Sequence, residues 1–240
     1  MSMKTDATNI LRPNATGLGA LLATLLIGAL CVAFMVFGLV LWANGNAGIG
    51  LFMEGMAAFM GLMARYVWRD LRGKQAWLVT LGPEVLALHL PAGRSITRKL
   101  SAIHENVEID EIAAIESRLE AYRSLGMVNM QRAYALKLKT GKVIILGEDR
   151  ALGTSLKKEI LAKTVRRIAA HAGLEIHDLG MAEGSAGILS IINNKPPPWD
   201  APALDATRQA ELWRQAKLTG WLALAAVALV VSAILLRRFL

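Results

Sequence analysis

The sequence predicts a membrane-anchored α+β protein, with three apolar helices holding one water-exposed domain built of strands and a helix. Three observations predict it. No residue between Arg12 and Glu54 carries a formal charge, a run longer than the roughly 20 apolar residues one helical crossing needs. A further apolar run covers Leu218 to Leu236. Between these regions charged and apolar residues alternate in short stretches separated by turn signals, as in a folded soluble domain.

The elements follow in order. Residues 1–16 form a short N-terminal segment, and 17–43 the first span. A secretory signal would have an apolar core of about 7–15 residues; the run from Gly17 to Leu41 is longer and leads into a second span, so it is read as retained. The polar, glycine-rich stretch Trp42 to Gly48 is the turn, and 47–68 the second span. Basic residues mark the cytoplasmic side of a membrane. Lys4 and Arg12 precede the first span, the turn has none, and Arg65, Arg69, Arg72 and Lys74 follow the second. This predicts a multi-pass protein of a bacterial inner membrane, with its N-terminus and central domain cytoplasmic. The third span, 218–236, then runs outward and leaves Arg237 and Arg238 on the far side, against the rule, with Arg214 and Lys217 offsetting them on the near side. Trp42, Tyr66, Trp68, Trp213 and Trp221 lie near the expected water boundaries.

The domain is expected over 75–178. Its strand signals are Trp77 to Leu81, Val85 to Leu90, and a hairpin in which Tyr134 to Lys139 and Lys142 to Leu146 flank the turn Thr140-Gly141. Ile109, Ile112, Ile115, Leu119 and Tyr122 fit helical spacing, but their β-branched content favours a short helix near Asp110–Ala114 and a strand from about Ile115 to Leu125. An amphipathic helix is expected from Ser155 to Ala172, capped by Thr154 or Ser155 and stopped by Gly173. Residues 179–206 read as a Gly/Pro-rich linker. Within it Pro196, Pro197, Pro198 and Trp199 form a stiff extended stretch, either a spacer or a polyproline-type docking peptide anchored by Trp199. Residues 207–217 read as an amphipathic juxtamembrane helix.

A membrane hairpin, a basic stretch beside it, the opening Trp77-Leu78-Val79-Thr80-Leu81-Gly82-Pro83-Glu84, the segment Ile112 to Glu116, the strand and turn Tyr134 to Gly141, and a helix ending near His171-Ala172-Gly173 together form a pattern. Over about 65–180 this pattern resembles the bacterial pleckstrin-homology-like (PH-like) membrane proteins. The resemblance implies an antiparallel β-barrel or meander closed by a C-terminal helix, and a role in binding and assembly rather than catalysis. The third span departs from the commonest hairpin-plus-domain layout of that family.

Composition narrows the chemistry. The formal net charge is +8, but much of the excess flanks the spans, where topology and anionic lipid explain it better than nucleic acid does. The single cysteine, Cys31, permits no internal disulfide and no cysteine-based zinc site. His89, His104, His171 and His177 show no ligand spacing on a helix, so neither a metal nor another cofactor is expected. Gly147-Glu148-Asp149-Arg150 reads as a solvated turn rather than an acid pair for catalysis. Ala29/Ala33 and Ala57/Gly61 have the small-xxx-small spacing that permits close helix approach. Glu54 is the ionisable residue placed within a span, where a carboxylate is costly and commonly functional. The expectation is a non-enzymatic membrane protein that presents its domain to a protein partner or a second copy. Arg65, Arg69, Arg72, Lys74, Arg214 and Lys217 form a collar on anionic lipid. The alternative is a channel or transporter subunit that uses Glu54.

Overall fold

The computed structural model describes residues 9–13, 18–95, 97–124, 127–151, 160–186, 194–218 and 220–221. The expected third span, the caps Thr154 and Ser155, and the apolar stretch Ile188 to Ile192 lie wholly or almost wholly outside the described residues.

Two long helices form a hairpin, α1 (Leu18–Ala43) and α2 (Ala47–Ala76). Both contain a segment long and apolar enough to cross a membrane, Leu21–Ala43 and Ala47–Gly73. Helix α1 is apolar all round and leaves Leu22, Leu25, Leu26 and Phe37 more than half exposed, a distribution that suits lipid and not water. The helices approach through small residues. Cys31 donates its thiol to the Ala57 carbonyl at 3.2 Å, and a side chain added at Gly61 would meet Cys31 Sγ. Gly38 faces Glu54, and Gly50 faces the Trp42 ring so closely that a Cβ there would collide with Trp42 Cδ1. Ala57/Gly61 thus packs against α1, whereas Ala29 and Ala33 face outward. Helix α2 runs past the expected boundary at 68 to Ala76, because Arg, Lys, Gln and Ala there all favour helix.

The domain has two four-stranded sheets. In the first, β1 (Ile10–Leu11), β2 (Leu78–Leu81), β3 (Val85–Leu90) and β4 (Ile103–Glu108) lie side by side and antiparallel. In the second, β5 (Ile112–Ser124), β6 (Met127–Leu138) and β7 (Val143–Ala151) form an antiparallel meander. Strand β8 (Ile176–Ser185) returns after α3 (Ile160–Ala172) to lie parallel to β5. A last helix, α4, covers 206–218. Among the described residues the two sheets do not close into a barrel.

The main core gathers Val79, Leu86, Leu88, Leu90 and Val107 from the first sheet, Ile115, Leu136, Ile144 and Leu146 from the second, and Leu161, Val165 and Ile168 from α3. Trp77 joins the sheets directly: its ring is buried and its indole N–H donates to the Leu146 carbonyl at 2.7 Å. A smaller core lies farther along β5 and β6, where Leu119, Ala121, Val128 and Met130, with Met181 of β8, pack on Leu212 and Ala216 of α4.

Other expectations change as well. Residues 10–11 are an edge strand with Leu11 in the core, because Leu11 meets an inward-facing row opposite Val79. The segment near Asp110 is only a single 3-10 turn, Ile109–Glu111, and the strand begins at Ile112. The expected linker starts inside β8, since β5 offers a free edge and Met181 and Ala182 bury against it. Glu148 and Asp149 lie in β7 and not in a solvated turn. The Thr140-Gly141 hairpin stands as expected, with Gly141 at φ +84°.

Candidate functional site

The site follows from the alternation along β5. Successive strand residues point to opposite faces, so Glu116, Arg118, Glu120 and Tyr122 share one face while Leu119 and Ala121 share the other. The small core under α4 covers the second face. The charged face is also buried: Arg118 is 2% exposed and Glu120 fully enclosed. Directly opposite on β6 stand Ala135, Ala133 and Gln131, and opposite Ala133 on β7 stands Glu148. The two alanines leave a trough floored by backbone and walled by charge.

Two segments line this trough. The first follows the 3-10 turn Ala92–Arg94. Arg94 is buried and donates to the carbonyls of Ile145, Pro91 and Ser101 at 2.7, 2.8 and 2.7 Å. Burial lowers its pKa to about 10. Ser95 and Thr97 donate to Glu148 at 2.7 and 3.3 Å, and Gln131 donates to Thr97 Oγ1. Arg98 bonds Glu120, whose other oxygen accepts from the Tyr122 hydroxyl at 2.5 Å. Burial, then the adjacent Glu120 charge, push the Tyr122 phenol well above its ordinary range.

The second segment is the proline-tryptophan stretch. Arg118 donates to the carbonyls of Pro198, at 2.7 Å, and Ala201, and Arg98 donates to that of Pro197 at 3.2 Å. The Trp199 indole N–H donates to Glu116 at 2.5 Å, and both guanidinium groups lie 5.7 Å from its ring centroid. Burial lowers the Arg118 pKa, against the attraction of Glu120. Backbone bonds fix both ends of the strap: Lys195 and Ser185 exchange a pair, and Leu204 donates to Met181. Pro197 is buried, Pro196 and Trp199 are half-buried and Pro198 is exposed. The candidate docking residues therefore sit in the domain's own trough, beside an open groove that reaches Lys137, Val143 and Leu179.

The other candidates fall in separate places. Arg65, Arg69 and Arg72 are exposed on α2 at helical spacing, with Arg72 over the Trp68 ring at 4.9 Å; Lys74 lies one turn beyond Asp70 on the same helix. Arg214 and Lys217 are exposed on α4. Glu54 is in the hairpin, and its Oε1 is buried without a hydrogen-bond partner.

The sequence reading missed the buried polar cluster. Its signal is the alternating Glu116, Arg118, Glu120 row, which resembles an ordinary solvated strand face until the strap covers it. Asp149 was missed as well: its carboxylate accepts the amides of Leu161 and Ala162 at 3.0 and 2.9 Å and holds the first described turn of α3. His89 and His104 stand opposite one another on β3 and β4, a pairing that only strand register reveals.

Compared with models of protein families, with curated proteins and with solved structures, the chain matches none. Fold and site therefore define a class only, a β-rich domain carried on two helices that are long and apolar enough to cross a membrane.

Proposed function

We propose that this is a non-enzymatic, multi-pass protein of a bacterial inner membrane whose cytoplasmic, PH-like domain binds extended peptide segments and so assembles a membrane complex. One observation carries the reading: an extended proline-rich segment is held in the trough by side-chain donors aimed at its main-chain carbonyls. Main-chain bonding with one aromatic anchor is a general mode of peptide recognition. In this reading the chain's own strap is the resting occupant, and a partner's segment, or that of a second copy, competes for its place. The meander of β5 to β7 followed by α3 is compatible with the PH-like resemblance. The stripe Arg65, Arg69 and Arg72, with Lys74, Arg214 and Lys217, would seat the domain on anionic lipid, at about 1 kcal/mol for each residue near the surface.

The test uses the full chain carrying Trp199→Ala and a labelled peptide with the sequence of residues 194–202. Saturable binding that Arg118→Met weakens at least tenfold supports the reading. Absence of saturable binding up to about 1 mM, a free energy of only about 4 kcal/mol, refutes it.

A second reading rests on Glu54, whose buried and unpartnered oxygen faces Gly38 in the hairpin. A channel or transporter subunit would place that carboxyl in an ion path. Glu54→Gln separates the two, because it would abolish an ion-linked flux and leave peptide binding intact.

A further inference from the structure

We propose that His89 and His104 form a surface binding site for a divalent transition-metal ion of the Zn2+ or Cu2+ class. The two residues stand directly opposite in the β3–β4 ladder. Their neighbours Leu88, Leu90 and Val107 point inward and are almost completely buried, so the core holds the register that brings the two imidazoles together. Both histidines are exposed on the outer face. Their Nδ1 atoms are 3.1 Å apart, with the rings 63° from coplanar.

That separation matches the bite of a metal. Two imidazole nitrogens bound at about 2.0–2.1 Å to a tetrahedral ion lie about 3.3–3.4 Å apart; at the right angle of a tetragonal copper site they lie about 2.9 Å apart. The observed distance falls between these values, so a ring rotation and a shift of a few tenths of an ångström complete the geometry. At present one Nδ1 donates a proton to the other. Chelation needs the donor ring to carry that proton at Nε2 instead, which changes a tautomer and buries no unpaired group. Among the described residues no third His, Cys, Asp or Glu joins the pair. Water would fill the remaining positions, and the ion would stay open to an outside ligand. The site lies on the first sheet, apart from the strap in the second, and does not depend on the trough's role.

The experiment titrates Zn2+, and separately Cu2+, into the tag-free full chain in detergent after chelator treatment. Expected is uptake of one equivalent, with affinity reduced at least tenfold by either His89→Gln or His104→Gln and unchanged by His171→Gln or His177→Gln. Both paired variants change exposed side chains, and an unaltered melting curve without metal verifies their fold. Equal uptake by His104→Gln, or no saturable uptake below about 1 mM, overturns the proposal.

Discussion

Trp199→Ala probes the strap most directly. The substitution removes the indole bond to Glu116, worth about 1.5–3 kcal/mol when the acceptor is charged. It also removes the stacking of two guanidinium groups, at about 0.5–1 kcal/mol each in a half-wet site. These terms overlap, and both arginines regain some hydration, so the low end is appropriate: about 2.5 kcal/mol, or a little under two decades in the opening equilibrium. The strap's ends supply the reporters. The Lys195 amide donates to Ser185 and the Leu204 amide to Met181, each at 2.8 Å. Hydrogen exchange read by mass spectrometry should show both amides exchanging about 60-fold faster, since local opening sets native-state exchange. Amides in the β2–β3 ladder, which belongs to the first sheet, should keep their protection. Acceleration below roughly threefold, about 0.7 kcal/mol, would mean that Trp199 does not hold the strap and that the backbone bonds alone suffice.

Two further outcomes follow from the same contacts. Asp149→Ala frees the amides of Leu161 and Ala162 and should cost about 1–2 kcal/mol, the usual loss for a side-chain cap, seen as a lower denaturation midpoint; Asp149→Asn should recover part of it, and a midpoint unchanged by Asp149→Ala would remove the cap from the account. Alkaline stability depends on Tyr122. Burial and Glu120 raise its folded pKa above the ordinary 10.0, so the unfolded chain loses this proton first. The contribution is complete below about pH 10 and declines as pH rises beyond it. Denaturation midpoints measured upward from about pH 8 should fall past that point, with the tyrosinate absorbance of Tyr122 appearing together with unfolding; ionisation of Tyr122 ahead of unfolding would contradict its burial.

The local signals in the sequence were reliable where one element's own chemistry decides its fate. The hairpin turn at Thr140-Gly141, the helix stop at Gly173 and the apolar runs of α1 and α2 each depend on neighbours within a few residues. The trough was not legible in this way. Glu116, Arg118 and Glu120 alternate with Ser117, Leu119 and Ala121, which is the pattern of a strand with one wet face. Their burial needs a segment about 80 positions further along, Pro198 to Ala201, to lie across them. Glu148 has the local sequence of a solvated turn for the same reason, since its hydroxyl donors Ser95 and Thr97 lie more than 50 positions away.

Hydropathy and backbone propensity by themselves determined that this chain carries two helices long and apolar enough to cross a membrane and a strand-rich domain with an amphipathic helix, because both quantities are summed over adjacent residues. Tertiary structure alone decided that Leu11 completes a sheet, that the proline-tryptophan strap occupies the chain's own trough, and that two distant histidines meet. Those outcomes depend on strand register and on which surface reaches which buried donor, and no window of neighbouring residues contains that information.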